Sequence, residues 1–325
     1  MGGIIRPYQL GDAEKIYEFF SQYTSFQRDA QFWVWINRML TENMYVQVIE
    51  NEGKIVGHYG ALPIPFIING QQVKAALTLH IIMAPEFRNL AMLDKMMKQL
   101  YADLIKDGYV FSIGFPNQNM RSTSVRLDRV KQVALFNAYE LESEAVKSIQ
   151  KNNYIFRICE NVTYSDYFIM NELMEKRVPS AVEIMKTPRY WASRYVNHPQ
   201  NLYKIYRIYD TSLARIKGYI VCKLYEKLNK KYLHIIDYIF ASDVIVQNVL
   251  NDFLISWQKE VDIFSFWKGD NEFESAIQNI GFKPVGFDTF LGVKMLNPDL
   301  LSKQQHDSLL QFNNWRLVMG DSDAF

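Results

Sequence analysis

Two tight turns constrain what the first third of this chain can become. Asn51-Glu52-Gly53-Lys54 and Asn69-Gly70 both have the residue chemistry of a short β-hairpin loop. Strand-forming runs stand on either side of them. Tyr45-Val46-Gln47-Val48-Ile49 leads into the first turn and Ile55-Val56-Gly57-His58-Tyr59-Gly60 leaves it. Residues 65–68 lead into the second turn and residues 73–83 leave it. Hairpins this short can join only antiparallel neighbours, so residues 44–83 are expected to form an antiparallel meander.

The period then changes. Residues 79–83 end in Ala84-Pro85-Glu86-Phe87-Arg88, after which Leu93, Met96, Met97, Leu100 and Leu104 recur at helical spacing. Lys106-Asp107-Gly108 ends that helix with a cation in its last turn and then a glycine. A further strand is expected over residues 109–115. Before the meander, Gly11-Asp12-Ala13 opens a helix with Ile16, Phe19, Phe20 and Tyr23 on one face, and a second helix is expected near Trp33. The order of elements then repeats in outline: strands over 202–209, 218–225 and 232–240, a helix over 244–257, and strands over 263–267 and 289–295. The pattern weakens and charges alternate around residues 141–153. We therefore expect an α/β (α+β) chain of two domains, residues 1–145 and 146–325, each a mixed, mostly antiparallel sheet flanked by helices.

Composition excludes several classes of function. The formal net charge is +1 over 325 residues, and the Lys230-Lys231 pair with Lys227 reads as a solvated hairpin tip, so no nucleic-acid partner is expected. The two cysteines, Cys159 and Cys222, are far apart and lack metal-ligand spacing, so neither structural zinc nor a disulfide framework is expected. No apolar run reaches the length of a signal peptide or a membrane span, which points to the cytoplasm and to no membrane contact.

The turn from Met83 to Arg88 is where chemistry is expected. A helix N-terminus presents unpaired N–H groups and the positive end of the helix dipole, a combination that holds phosphate without any particular side chain. The stretch Met83-Ala84-Pro85-Glu86-Phe87-Arg88-Asn89-Leu90-Ala91-Met92-Leu93 resembles the x-P-x-Y/F-R turn and Q/R-x-x-G-x-G/A loop of the GNAT superfamily of acyl-CoA N-acyltransferases. Ala91 and Leu93 stand where that family usually has glycine. Three further stretches are similar to those of two-domain members often encoded near polysaccharide genes. They are Gly114-Phe115-Pro116-Asn117-Gln118-Asn119, Thr187-Pro188-Arg189-Tyr190-Trp191 through Arg194 to His198-Pro199, and Trp315-Arg316 through Gly320-Asp321-Ser322-Asp323.

The resemblance implies acetyl-CoA or another acyl-CoA as cofactor and a small-molecule amine, such as an amino sugar, as acceptor. It implies direct transfer with no covalent enzyme intermediate. The cofactor would lie along Ile81, Ile82 and Met83 where adjacent strands splay apart. Its pyrophosphate would meet Arg88, Asn89, Leu90, Ala91, Met92 and Leu93, and Asn119 would add a hydrogen bond. His80 is the expected base, with Asn117 and Tyr59 as further candidates and His58 beside Tyr59. Asp321, Asp323 and the carboxylate of Phe325 form a possible acidic cluster. The second half lacks such a loop: after residues 237–240 it reads Ala241-Ser242-Asp243, with Asp243 as a helix cap, and so is expected to be a wall for the acceptor. Two other readings stay open. One is a non-catalytic binding protein that has lost the cofactor, and the other is a tRNA-dependent aminoacyl transferase, which also pairs two such halves.

Overall fold

The computed structural model describes residues 3–23, 29–200, 202–211 and 215–322. Cα packing divides the chain into Met1–Leu135 with Phe290–Phe312, and Phe136–Thr289 with Asn313–Phe325. The division thus falls about ten residues before the expected one at 145/146. It also runs through a strand, and the chain returns to the first unit near its end. Sequence pattern could not show this, because two of the three crossings, at 135/136 and 289/290, occur inside continuous strands.

The first unit opens with β1 (Ile4–Pro7), α1 (Asp12–Tyr23), α2 (Ala30–Arg38), β2 (Tyr45–Asn51), β3 (Lys54–Ile68) and β4 (Gln71–Met83). Arg6 holds the start of α1 through Asp12 at 2.6 and 2.9 Å, and Asp12 also accepts from the Gln9 amide. Asp29 caps α2 by accepting from Phe32 N at 2.7 Å. Both expected turns have left-handed backbones: Glu52 and Gly53 at φ 51° and 79°, Asn69 and Gly70 at φ 49° and 79°. The meander forms as expected, with β1, β2, β3 and β4 antiparallel in that order.

After β4 come α3 (Leu90–Lys106), β5 (Phe111–Gly114), α4 (Gln118–Arg126) and β6 (Lys131–Glu142). Helix α3 buries Met96, Met97, Leu100 and Leu104, and Gly108 leaves it at φ 80°. Strand β5 lies parallel to β4, pairing Ala75, Ala76 and Leu77 with Phe111, Ser112 and Ile113. Helix α4 occupies a stretch where the sequence led us to expect no helix. Its 118–126 segment buries no residue, so it carries no apolar stripe for periodicity to find.

The second unit contains β7 (Ile155–Ile158), α5 (Tyr164–Lys176), β8 (Val182–Ile184), α6 (Pro188–Trp191), β9 (Lys204–Tyr209), β10 (Ile216–Lys227) and β11 (Lys230–Phe240). They are followed by α7 (Val246–Trp257), β12 (Ile263–Phe266), α8 (Asn271–Ile280) and β13 (Lys283–Met295). Its sheet runs from the second half of β6 through β12, β11, β10 and β9 to β7, parallel only between β11 and β12. The end of β13 belongs to the first unit, where residues 292–295 pair antiparallel with β5. Helix α9 (Lys303–Leu309) follows, with Gln305 bonded to Gln71 at 3.0 Å. Asp243 does not cap α7 as expected. Ile245 is the N-cap residue, and Asp243 pairs instead with Lys217 at 2.7 Å.

The stretches around residues 187–198 and 315–322 meet in a buried ionic network. Asp237, fully buried on β11, accepts from Lys186 at 2.6 Å, Tyr195 at 2.5 Å and Arg316 at 3.1 Å. Lys186 also pairs with Asp321 at 2.9 Å. Arg194 donates to the carbonyls of Gly320 and Ser322 at 3.1 and 3.0 Å, so it holds the chain end by its backbone. The two neighbouring cations keep the Asp237 carboxyl below the usual carboxylate range against the cost of its burial. The motif residues Trp191, Arg194 and Arg316 therefore serve packing and tail docking. Of the expected acidic cluster, Asp321 is in this network, while Asp323 and Phe325 lie outside the described residues. Replacing Asp237 by Asn leaves two buried cations under-compensated. We predict a loss of about 3–5 kcal/mol in urea unfolding, and a change under about 1 kcal/mol would show that the network is not ionic.

Candidate active site

In the first unit β4 and β5 begin side by side and then part. Their parallel pairing stops at Leu77 and Ile113, where Thr78 Oγ1 donates to the Ile113 carbonyl at 3.1 Å. Beyond that point β5 ends at Gly114 while β4 continues to Met83. A Cβ on Gly114 would lie 2.6 Å from Thr78 Oγ1, so a side chain there would crowd the fork. The parted strands open into a cleft of about 610 Å³, lined on the β4 side by Ile81, Ile82 and Met83. Helix α3 contributes Leu90 and Leu93 and the preceding turn contributes Arg88 and Asn89. Asn117, Asn119 and Met120 close the α4 side, and Tyr23 comes from α1.

The start of α3 settles where its expected phosphate-facing groups go. Asn89 is the N-cap, and its Oδ1 accepts from Met92 N at 2.7 Å. The Met92 amide is therefore used inside the helix and cannot face a ligand. The amides of Leu90 and Ala91, in the first turn, have no intrahelical partner by helix geometry. Ala91 is exposed, so its methyl does not obstruct them. Leu93 is 9% exposed and packs in the core with Met96 and Met97, so most of its bulk is directed inward. Arg88 is exposed, and its Nε donates to the Met83 carbonyl at 3.0 Å, which ties the guanidinium to the end of β4 at the cleft.

Asn117 turns out to be the N-cap of α4: its Oδ1 accepts from Met120 N at 3.1 Å. That oxygen is thus engaged in a cap at the cleft wall. Asn119 lies one residue further on, exposed in the first turn of α4. Tyr59 is 5% exposed, and its hydroxyl meets that of Tyr101 at 2.8 Å, which in turn donates to Asp128 Oδ2 at 2.7 Å. Burial raises the Tyr59 pKa, so that hydroxyl stays protonated in a closed internal chain away from the cleft lining.

His80 occupies an unusual backbone. The pairing of β3 with β4 shifts between His58 and Gly60, so that His80 and Ile81 together oppose Tyr59 alone. This is a β-bulge, and His80 in it has φ 49°. Its ring is half-buried, edge-on to Phe20 at 5.8 Å, and it is not among the side chains that line the cleft. His58, which sequence reading placed only as a weak neighbour of Tyr59, is fully buried. Its Nε2 accepts from Trp33 Nε1 at 3.1 Å, and its Nδ1 donates to the His80 carbonyl at 2.7 Å. Loss of hydration pulls its pKa from 6.5 down to about 3. The bulge and its histidine partner carry no motif. Nothing in the sequence marks them except an imidazole on each of two adjacent strands.

Comparison with known proteins follows from this geometry. Residues 4–124 match the model of the acetyltransferase (GNAT) domain. The whole fold is shared with solved structures of low sequence identity. A GCN5-related N-acetyltransferase from Anabaena variabilis aligns at TM-score 0.69 and 16% identity, covering 91% of this chain and 73% of that one. A probable N-acyltransferase from Enterococcus faecalis aligns at TM-score 0.69 and 12% identity, with the same coverage. Saccharomyces cerevisiae N-myristoyltransferase with bound myristoyl-CoA aligns at TM-score 0.62 and 9% identity, covering 91% of this chain and 79% of that one. Among curated proteins none matches the sequence. No helix among the described residues is long and apolar enough to cross a membrane, and no group of three or more metal-ligating side chains occurs among them.

The buried His58 makes stability depend on pH in a definite direction. Its folded pKa is depressed, so its contribution is full above 6.5 and is lost as pH falls toward about 3, where only the unfolded chain takes up the proton. Between about pH 6 and 5 one such proton adds a slope of up to about 1.4 kcal/mol per pH unit. His58→Asn removes that proton, and its urea-derived stability should decline less steeply with acidification than that of the wild type. Equal slopes would mean that the ring titrates normally in the folded protein.

Proposed function

We propose that this chain is an acyl-CoA-dependent N-acyltransferase that passes an acyl group, acetyl first among candidates, from the CoA thioester to a primary amine of a small molecule such as an amino sugar. The observation that carries the reading is the meeting, in one cleft, of a strand edge left unpaired by the fork and the open N-terminus of α3 beside Arg88. The residues present suit such a cofactor. The Leu90 and Ala91 amides and the Arg88 guanidinium form a cationic mouth of the right chemistry for a pyrophosphate. The apolar flank of Ile81, Ile82 and Met83 and the backbone of β4 suit a narrow arm carrying amides. The inward placement of Leu93 supports the reading, since this was the departure from the family pattern with the most bulk.

In the reaction the amine nitrogen attacks the thioester carbonyl carbon. The new C–N bond forms, the C–S bond breaks, and the amine's proton must leave while the thiolate gains one. Among the described cleft-lining side chains Tyr23 and Arg88 are titratable, and what these residues contribute is to bind and to align. His80, one residue before Ile81, is retained as the base. Asn tolerates a left-handed backbone, so His80→Asn tests the imidazole without forcing the bulge to change.

Acetyl-CoA and longer acyl-CoAs should each be tried, since a structural relative holds a long acyl chain. At a ligand concentration about 100 times Kd, the expected stabilisation is about 2.7 kcal/mol, read as a rise in Tm. Arg88→Glu should abolish the shift. His80→Asn should keep it while slowing free-thiol release from acyl-CoA plus amine by about 100-fold or more. A wild-type protein indifferent to every acyl-CoA would overturn the proposal. Binding without turnover across an amine panel would favour the non-catalytic binding protein.

A further inference from the structure

The bulge in β4 has a holder of its own. Its left-handed residue, His80, is not a glycine, and a non-glycine residue at φ 49° persists only where its surroundings over-determine it. The carbonyl of that residue is the acceptor for His58 Nδ1–H at 2.7 Å. The His58 ring is fixed in turn. Trp33 Nε1–H occupies its other nitrogen at 3.1 Å, which leaves the proton on Nδ1. The ring is also wedged edge-on between Phe20 of α1 at 5.0 Å and the Trp33 ring of α2 at 5.7 Å. Gly60, the next paired residue of β3 after the bulge, makes space for it: a Cβ there would lie 3.3 Å from His58 Cε1 and 3.2 Å from Asn37 Oδ1.

We propose that His58 is a positioning residue for acyl transfer, a tautomer-locked latch that holds the His80 carbonyl and thereby sets the rotation of the strand end that lines the cleft. Because side chains alternate along a strand, the extra residue at the bulge decides which of Ile81, Ile82 and Met83 turn their backbone groups to β3 and which to the cleft. Without the latch the bulge can relax, and the register of the cleft-lining stretch relaxes with it. The α3 mouth lies beyond the bulge, after β4 has ended, and keeps its own cap at Asn89. The latch therefore governs alignment of the reacting groups more than it governs cofactor capture. This inference depends on the acyl-transfer reading for its consequence but not for its geometry.

The test uses the full chain as wild type, His58→Leu, His58→Asn and Trp33→Phe. Nitrogen-15 NMR of histidine-labelled wild type should show a neutral Nδ1–H imidazole for His58 that does not protonate between about pH 7 and 5. An Nε2–H tautomer, or a titration near the free-imidazole value, would overturn the latch whatever the protein's activity. With acyl-CoA and an accepted amine, His58→Leu should lose about 10–100-fold in kcat. Its KM for acyl-CoA should stay within about threefold of wild type. His58→Asn, whose amide can donate to the same carbonyl, should recover most of the lost rate. Should His58→Leu fail to fold, Trp33→Phe frees Nε2 while keeping an aromatic wedge, and should lower kcat in the same manner. A folded His58→Leu or Trp33→Phe with wild-type kcat would overturn the positioning role. If the wild type neither binds nor turns over any acyl-CoA, the acyl-transfer reading fails while the tautomer result still decides the latch.

Discussion

Backbone N–H and C=O groups taken from water must find partners, and the first unit is organised around one place where a strand's partner is withdrawn. Strands β4 and β5 share three residue pairs and then separate, so the rest of β4 presents an edge with no strand on that side among the described residues. An open edge of this kind in a sheet interior is a liability unless something else completes it. The cleft beside Ile81, Ile82 and Met83 is therefore a built feature of the fold. Thr78 spans the apex, Gly114 keeps it free of a side chain, and the helix that follows β4 delivers its N-terminus to the same opening.

The second unit solves a different problem. Its chain end is held by an ionic cluster around Asp237, with Arg194 gripping main-chain carbonyls at Gly320 and Ser322. Buried ion pairs of this sort contribute little net stability over an apolar core, but they are strongly directional. They therefore specify where the tail docks. That accounts for the motif-like recurrence of Trp, Arg, Tyr and Asp in stretches that take no part in the cleft.

Much of this was legible in the sequence, for identifiable reasons. Turns at Glu52-Gly53 and Asn69-Gly70 read correctly because positive φ demands few residue types. Helix α3 read correctly because its stripe and its glycine stop agree. The cleft flank from Ile81 to Leu93 was located by motif. What remained hidden depends on long-range geometry. Helix α4 has no buried face, Asp243 found a lysine on another strand, and the unit boundary lies inside continuous strands. The bond from His58 to the His80 carbonyl stayed hidden because its two partners lie 22 residues apart. The Met92 amide was counted for the ligand because sequence alone did not show that Asn89 would use it for the cap.

The central claim is that the unpaired edge of β4 and the first turn of α3 together receive one acyl-CoA. Hydrogen–deuterium exchange with and without saturating acetyl-CoA measures this directly. The account predicts slowed exchange at the amides of Leu90 and Ala91 and within residues 81–83, with Met92 little changed because its amide is already bonded. Protection confined to other segments, or none at these amides when the ligand is demonstrably bound, would contradict it.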